Sequence, residues 1–189
     1  MQHLIILLAA PSGTGKSTMA KRLSEDFPNL KFSISATTRL PRKGELHGVD
    51  YYFLNIDEFQ QKIDEEDFLE WEEFYGGTRY GTLRSELVKN TEKGYYTLLD
   101  VDVKGAVRIK SLFNECCLAL FLRPPSLEIL EERLKNRNTE SESSLKLRIQ
   151  RAEAELKYAS HFDNIITNDN LDKAYSELKN IVQIFMNSH

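Results

Sequence analysis

The stretch from Leu4 to Thr18 constrains the fold more than any other part of the chain. Residues 4–8 are an unbroken apolar run, the length of a strand buried on both faces. Pro11 then removes a backbone donor, and Gly13 and Gly15 widen the allowed backbone angles, so the strand must stop there. From Lys16 onward Met19, Ala20, Leu23 and Phe27 recur at helical spacing. Strand, tight loop and helix in this order are the setting a phosphate-binding loop needs. Converging loop N–H groups and the positive helix N-terminus make an anion site. The segment Ala10-Pro11-Ser12-Gly13-Thr14-Gly15-Lys16-Ser17-Thr18 meets the pattern G-x-x-x-x-G-K-[ST] except at its first position, where alanine replaces glycine. Lys16 is placed to reach β- and γ-phosphates, and Ser17 to offer a hydroxyl to Mg²⁺. The loop implies binding of a nucleoside triphosphate.

The 189 residues suit one domain, with room for small insertions in a core. A hydrophobic share of 41% supports that core, and 29% charged residues give a soluble surface. No apolar run approaches a membrane span, and the N-terminus lacks the pattern of a secretory leader. A net charge of −4 argues against non-specific nucleic-acid binding. Cys116 and Cys117 are adjacent, too close for an ordinary disulfide, and precede an apolar run; they read as thiols in a reducing, cytoplasmic setting. The four histidines show no metal-ligand spacing.

Beyond the first helix, residues 32–36 alternate as a strand and lead into a loop dense in cations and hydroxyls. Residues 49–54 read as a strand, and Asp57 with Gln60 as the capping box of a helix through about residue 66. Residues 68–75 form a further strand, Gly76-Gly77 a turn, and residues 83–92 a helix. Residues 33–94 therefore read as a β-rich insertion, loop- and aromatic-rich, folded as a small sheet over the main one. Residues 1–32 and 95–189 supply the core. A strand at 95–99 ends on Asp100 and Asp102, as the second metal-binding element of such proteins does. Helices near 103–112, 126–134, 143–158 and 171–185 alternate with strands at 117–122 and 164–167. That alternation predicts an α/β fold with a mainly parallel sheet between helices, binding its ligands beyond the strands' carboxyl ends. Arg133, Arg137, Arg148 and Arg151 flank a polar stretch, so residues 134–151 read as a helical lid.

Several blocks, in order, resemble the guanylate kinase family over nearly the whole length. They are residues 10–18, Ser-Ala-Thr-Thr-Arg-Leu-Pro-Arg at 35–42, Gly-Glu-Leu-His-Gly-Val-Asp-Tyr-Tyr-Phe at 44–53, Phe-Leu-Glu-Trp at 68–71 and Tyr-Gly-Thr at 80–82. Leu-Asp-Val-Asp at 99–102, Arg-Asn-Thr-Glu-Ser-Glu at 137–142 and Thr-Asn-Asp-Asn-Leu at 167–171 complete the set. The resemblance implies a P-loop core, a GMP-binding insertion, an arginine lid, and the reaction ATP + GMP ⇌ ADP + GDP (or the dGMP equivalent) with Mg²⁺. It assigns the phosphate loop, Asn168 and Asp169 to ATP, and Ser17 and Asp100 to the metal, Asp100 acting through metal-bound water or by orienting an arginine.

For the acceptor the resemblance implies Glu70 as guanine carboxylate, with Asp102, Ser35 and Thr82 around the base. It implies Arg39, Arg42, Tyr51 and Tyr80 at the GMP phosphate. Glu45 is expected to contact GMP or to brace those arginines. Lys16, Arg39, Asp100, Arg133, Arg137 and Arg148 are the residues expected to act on the transferring group. Two positions depart from the family pattern: Ala10, and Asn138 where glycine is usual. Two rivals are a P-loop kinase for another phosphorylated acceptor and a non-catalytic interaction module. Glu70, Ser35 and Thr82 argue against the first; intact Lys16 and Ser17, and a chain that ends with its fold, argue against the second. Oligomeric state is open at this stage.

Overall fold

The structure, a computed structural model, describes residues 3–74, 76–136 and 142–189. Arg137 and Asn138 lie outside the described residues. The strands are β1 (Ile5–Ala9), β2 (Leu30–Phe32), β3 (Ala36–Thr37), β4 (Tyr52–Phe53), β5 (Phe68–Glu73), β6 (Arg79–Leu83), β7 (Tyr96–Asp100), β8 (Cys117–Arg123) and β9 (Asn164–Thr167). The helices are α1 (Lys16–Asp26), α2 (Ile56–Asp64), α3 (Arg84–Glu92), α4 (Val103–Phe113), α5 (Leu127–Lys135), α6 (Glu142–Leu156) and α7 (Leu171–Asn187).

A five-stranded sheet, ordered β2-β7-β1-β8-β9 and parallel throughout, forms the core. Every residue of the central strand β1 is buried, because helices cover both faces. Successive side chains point to opposite faces. Ile6 and Leu8 pack with Met19 and Leu23 of α1 and Leu178 and Val182 of α7, whereas Ile5 and Leu7 pack with Val103, Ala106 and Ile109 of α4. Each such side chain, fully buried, contributes about 1.5–3 kcal/mol. All the strands therefore point their carboxyl ends, and the loops that follow, the same way.

A second sheet, ordered β4-β3-β6-β5, is built from residues 36–83. The antiparallel pair of β5 and β6 sets Glu70 opposite Thr82. Beneath it Phe59 stacks on Phe68 with ring centroids 4.5 Å apart.

Three local expectations need correction. The strand expected over residues 32–36 is two strands in two sheets, β2 pairing with β7 and β3 with β6. A single alternating run carries no mark of which partner each half will take. The strand expected over residues 49–54 shrinks to β4, preceded by an isolated bridge between His47 and Tyr51. The cap of α2 is Asn55, not Asp57: Asn55 Oδ1 accepts from Glu58 N at 2.8 Å and Glu58 Oε2 from Asn55 N at 2.7 Å. Both residues are good caps; the extended backbone of Asn55, leaving β4, decides between them. Cys117 opens β8 as a buried thiol pushed up to about 12 by that burial. Among the described residues no helix is long and apolar enough to cross a membrane.

Candidate active site

The loop between β1 and α1 carries two left-handed glycines, Gly13 at φ 92° and Gly15 at φ 97°. Gly15 is the N-cap of α1 and has no side chain to satisfy the first-turn N–H groups, which leaves them for an anion. Space forbids a side chain as well. A Cβ at Gly13 would stand 2.8 Å from Leu134 Cδ2, and one at Gly15 would stand 2.8 Å from Asn168 Nδ2. Ala10 does not occupy the left-handed region, so its methyl brings no backbone strain at the position where the motif has glycine. We expect Gly15→Ala to cost roughly 1–3 kcal/mol in a urea denaturation, from strained backbone plus the collision with Asn168.

The loop is braced from beneath. Thr14 Oγ1 donates to Pro11 O at 2.7 Å, and the buried Asn168 donates from Nδ2 to Thr14 O at 2.7 Å. Arg133 in turn donates to the carbonyls of Asn168 and Asp169 at 2.9 and 3.3 Å. Lys16 pairs with the Asp100 carboxylate at the end of β7 and donates to Val101 O at 3.1 Å.

A cavity of about 950 Å³ opens beside the loop, walled by both sheets and by α6. Ala10, Pro11, Ser12, Gly13, Gly15, Lys16, Ser17 and Thr18 line one side. Ser35, Arg39, Arg42, Tyr51, Glu70 and Tyr80 line the other, with Asp100, Asp102 and Arg148 between. Arg148 donates to Ser12 Oγ at 3.0 Å, so α6 reaches the phosphate loop. Thr14, Glu45, Thr82, Arg133, Asn168 and Asp169 stand behind this wall rather than in it.

On the far side, Arg39 forms a bidentate pair with Glu45, Nη1 to Oε2 at 2.6 Å and Nη2 to Oε1 at 2.7 Å. Its guanidinium lies over the Tyr51 ring, 4.8 Å from the centroid. Glu45 also accepts from Arg42 N at 2.7 Å, so one carboxylate ties both arginines' segments together. The Arg39 pair and the Arg42 N–H hold the Glu45 carboxyl down at about 2. Tyr51 meets Tyr80 edge to face, and burial raises the Tyr51 phenol.

Glu70 is the exception among the acids, only 6% exposed and, among the described residues, with no cation within a hydrogen bond. Thr82 Oγ1 donates to its Oε1 at 2.6 Å. Burial pushes the Glu70 carboxyl up to about 7 against the opposing effect of Thr82, and the neighbouring charge of Asp102 adds to the rise. Asp102 caps α4, its Oδ1 accepting from Lys104 N and Gly105 N at 2.8 and 3.1 Å.

Phe74 and Glu155 also line the cavity and were missed by the sequence reading. Arg151 joins them: its guanidinium sits 4.3 Å from the Phe74 ring centroid and its Nε donates to Glu155 at 2.7 Å. The shared helical face of Arg148 and Arg151 was the available signal; the ring it would meet was not.

A parallel sheet whose central strand delivers a glycine loop, lysine and helix N-terminus to the carboxyl edge defines a P-loop nucleotide-binding enzyme fold. The chain matches the family described as guanylate kinase over residues 1–184. It is 48% identical to the guanylate kinase of Chlorobium luteolum over 90% of this chain and 86% of that one. It is 47% identical to that of Salinibacter ruber over 97% of both. The crystal structure of guanylate kinase from Anaplasma phagocytophilum superimposes with a TM-score of 0.77 at 31% identity, covering 97% of this chain and 86% of that chain. A shikimate kinase from Bacteroides thetaiotaomicron shares the fold alone, with a TM-score of 0.52 at 14% identity, over 95% of this chain and 98% of that one. The chain belongs to the guanylate kinase family.

Proposed function

We propose that the enzyme transfers the γ-phosphoryl group of ATP to GMP or dGMP, giving ADP and GDP or dGDP, in the metabolism and recycling of purine nucleotides. The observation that carries this reading is the buried Glu70, held from behind by Thr82, in the cavity that the phosphate loop also lines. Guanine presents two adjacent donors, N1–H and the N2 amino group, and a carboxylate accepts both. Adenine offers no such pair, so its binding would leave a buried carboxylate unsatisfied. Residues 33–94 then serve as the GMP-binding insertion.

In this reading the loop N–H groups and Lys16 hold the β- and γ-phosphates, while Arg39 and Arg42 hold the GMP phosphate. Glu45 supports both arginines from behind. Arg148, already on Ser12, and Arg137 serve as the lid cations, whereas Arg133, expected beside them, instead holds the carbonyls of Asn168 and Asp169 behind the cavity. Asn168 and Asp169 flank the ATP end. The acceptor is a phosphate anion, so no base is needed to deprotonate it; alignment and charge neutralisation carry the reaction. Ser17 and Asp100 line the same cavity and are hard oxygen donors, which fits Mg²⁺ bound by few protein ligands and the nucleotide's phosphates. When bound, Mg²⁺ neutralises charge on the transferring phosphates.

The decisive test measures ADP formation from Mg-ATP with GMP, AMP, UMP and ribose 1,5-bisphosphate offered separately. Turnover confined to GMP and dGMP is expected; comparable turnover with any other acceptor refutes the guanine site.

Acidity supplies a second test. The Glu70 carboxyl is pushed up to about 7 in the free enzyme, and guanine needs the ionised form. GMP affinity should therefore fall about tenfold per pH unit below this value. Calorimetric GMP titrations of the native enzyme and of Glu70→Gln, which lacks that carboxyl, isolate its share of the pH dependence. Folding follows the opposite sign. The unfolded carboxyl titrates near 4.5, so Glu70 favours the folded state most below that pH and loses its contribution as pH climbs through about 7.

A further inference from the structure

The third residue of α4 is Gly105, buried and in an ordinary helical conformation outside the left-handed region. The backbone there gives no reason for glycine, since alanine is the better helix former. The surroundings do. A Cβ on Gly105 would stand 2.6 Å from Glu70 Oε2, 3.0 Å from its Cδ and 3.2 Å from its Cγ. Both neighbours are anchored where they stand. Glu70 is anchored by Thr82 through Oε1, and its neighbour Leu69 is packed in the same core as Val103 and Ala106 of α4. The start of α4 is pinned by Asp102, which accepts from the N–H of Gly105 itself.

We propose that Gly105 is a specificity-determining positioning residue: its missing side chain forms the slot that seats the Glu70 carboxylate for guanine. This rests on the guanine-reading role given to Glu70 above. A methyl group at residue 105 claims the space of Oε2, so the carboxylate must turn away and its bond to Thr82 breaks. The residue touches no substrate; it acts through Glu70. The close contact also keeps water from that oxygen, in accord with the burial that pushes the carboxyl up.

Two cycles on the full-length enzyme test this. In the kinetic one, Gly105→Ala should raise KM for GMP about ten- to a hundredfold and lower the preference for GMP over AMP, leaving KM for ATP within about twofold. Combined with Glu70→Gln, it should add little further loss of preference. In the thermal one, Gly105→Ala should lower the unfolding midpoint when Glu70 is present and raise it in a Glu70→Ala background, where the space is open. Equal shifts in both backgrounds overturn the proposal. So does an unchanged KM for GMP while Glu70→Gln alone erodes the preference. If neither substitution affects the preference, the guanine-reading role of Glu70 falls too. Should Gly105→Ala alone fail to fold, folding of the double variant with Glu70→Ala supports the slot, and its failure to fold refutes it.

Discussion

Replacing Lys16 with alanine should lower kcat by at least about a thousandfold while GMP still binds with near-native affinity. Lys16 is the cation whose Nζ is fixed at the mouth of the loop by Asp100 and the carbonyl of Val101. On the proposed reading, its removal takes away the positive charge that neutralises the γ-phosphate, and it strips Asp100 of its cation. The acceptor side is untouched: Arg39, Tyr51 and Glu70 lie across the cavity on other elements. A coupled assay of ADP formation and a calorimetric GMP titration check the two halves. Unchanged turnover would sink the assignment of this loop to the transferred phosphate.

Glu70→Gln should lower the kcat/KM preference for GMP over AMP by roughly a hundredfold or more, with KM for ATP unaltered. The substitution keeps shape and volume, so the second sheet and the Thr82 contact survive. Of the side chain's two polar ends, one turns from acceptor to donor. On the proposed reading it would face guanine's donors with a donor of its own, at a buried position where an unpaired polar group is costly. The pH dependence of GMP binding that Glu70 supplies should vanish in the same variant. A variant that discriminates as the native enzyme does would refute the role.

Much of this architecture was legible because its causes are local. An apolar run, two glycines and a lysine within residues 4–16 leave the chain few ways to proceed, and β1, the loop and α1 follow that reading to within a residue. β9 matches as well, and α7 begins where expected and runs two residues further, its Asn170 cap accepting from Asp172 N and Lys173 N directly before the apolar stripe. The errors fell where local signals compete. Asn55 and Asp57 are equally good caps, and residues 30–37 alternate without marking that the chain changes sheets.

By itself, then, the sequence determined the strand–loop–helix nucleus and the α/β alternation, while the residues expected around the acceptor came from the resemblance to a family. Nucleus and alternation depend on spacing within one element and on side-chain chemistry, and both are written along the chain. Only the tertiary structure decided that Asn168 braces the loop from 154 residues away, that Arg133 is turned onto the carbonyls behind it, and that Glu45 holds Arg39. It alone set α4 against β5 closely enough that a Cβ at residue 105 would stand 2.6 Å from the Glu70 carboxylate. It also decided the acidity of Glu70, because desolvation arises from what surrounds a carboxylate in space, and those neighbours come from segments far apart in the chain.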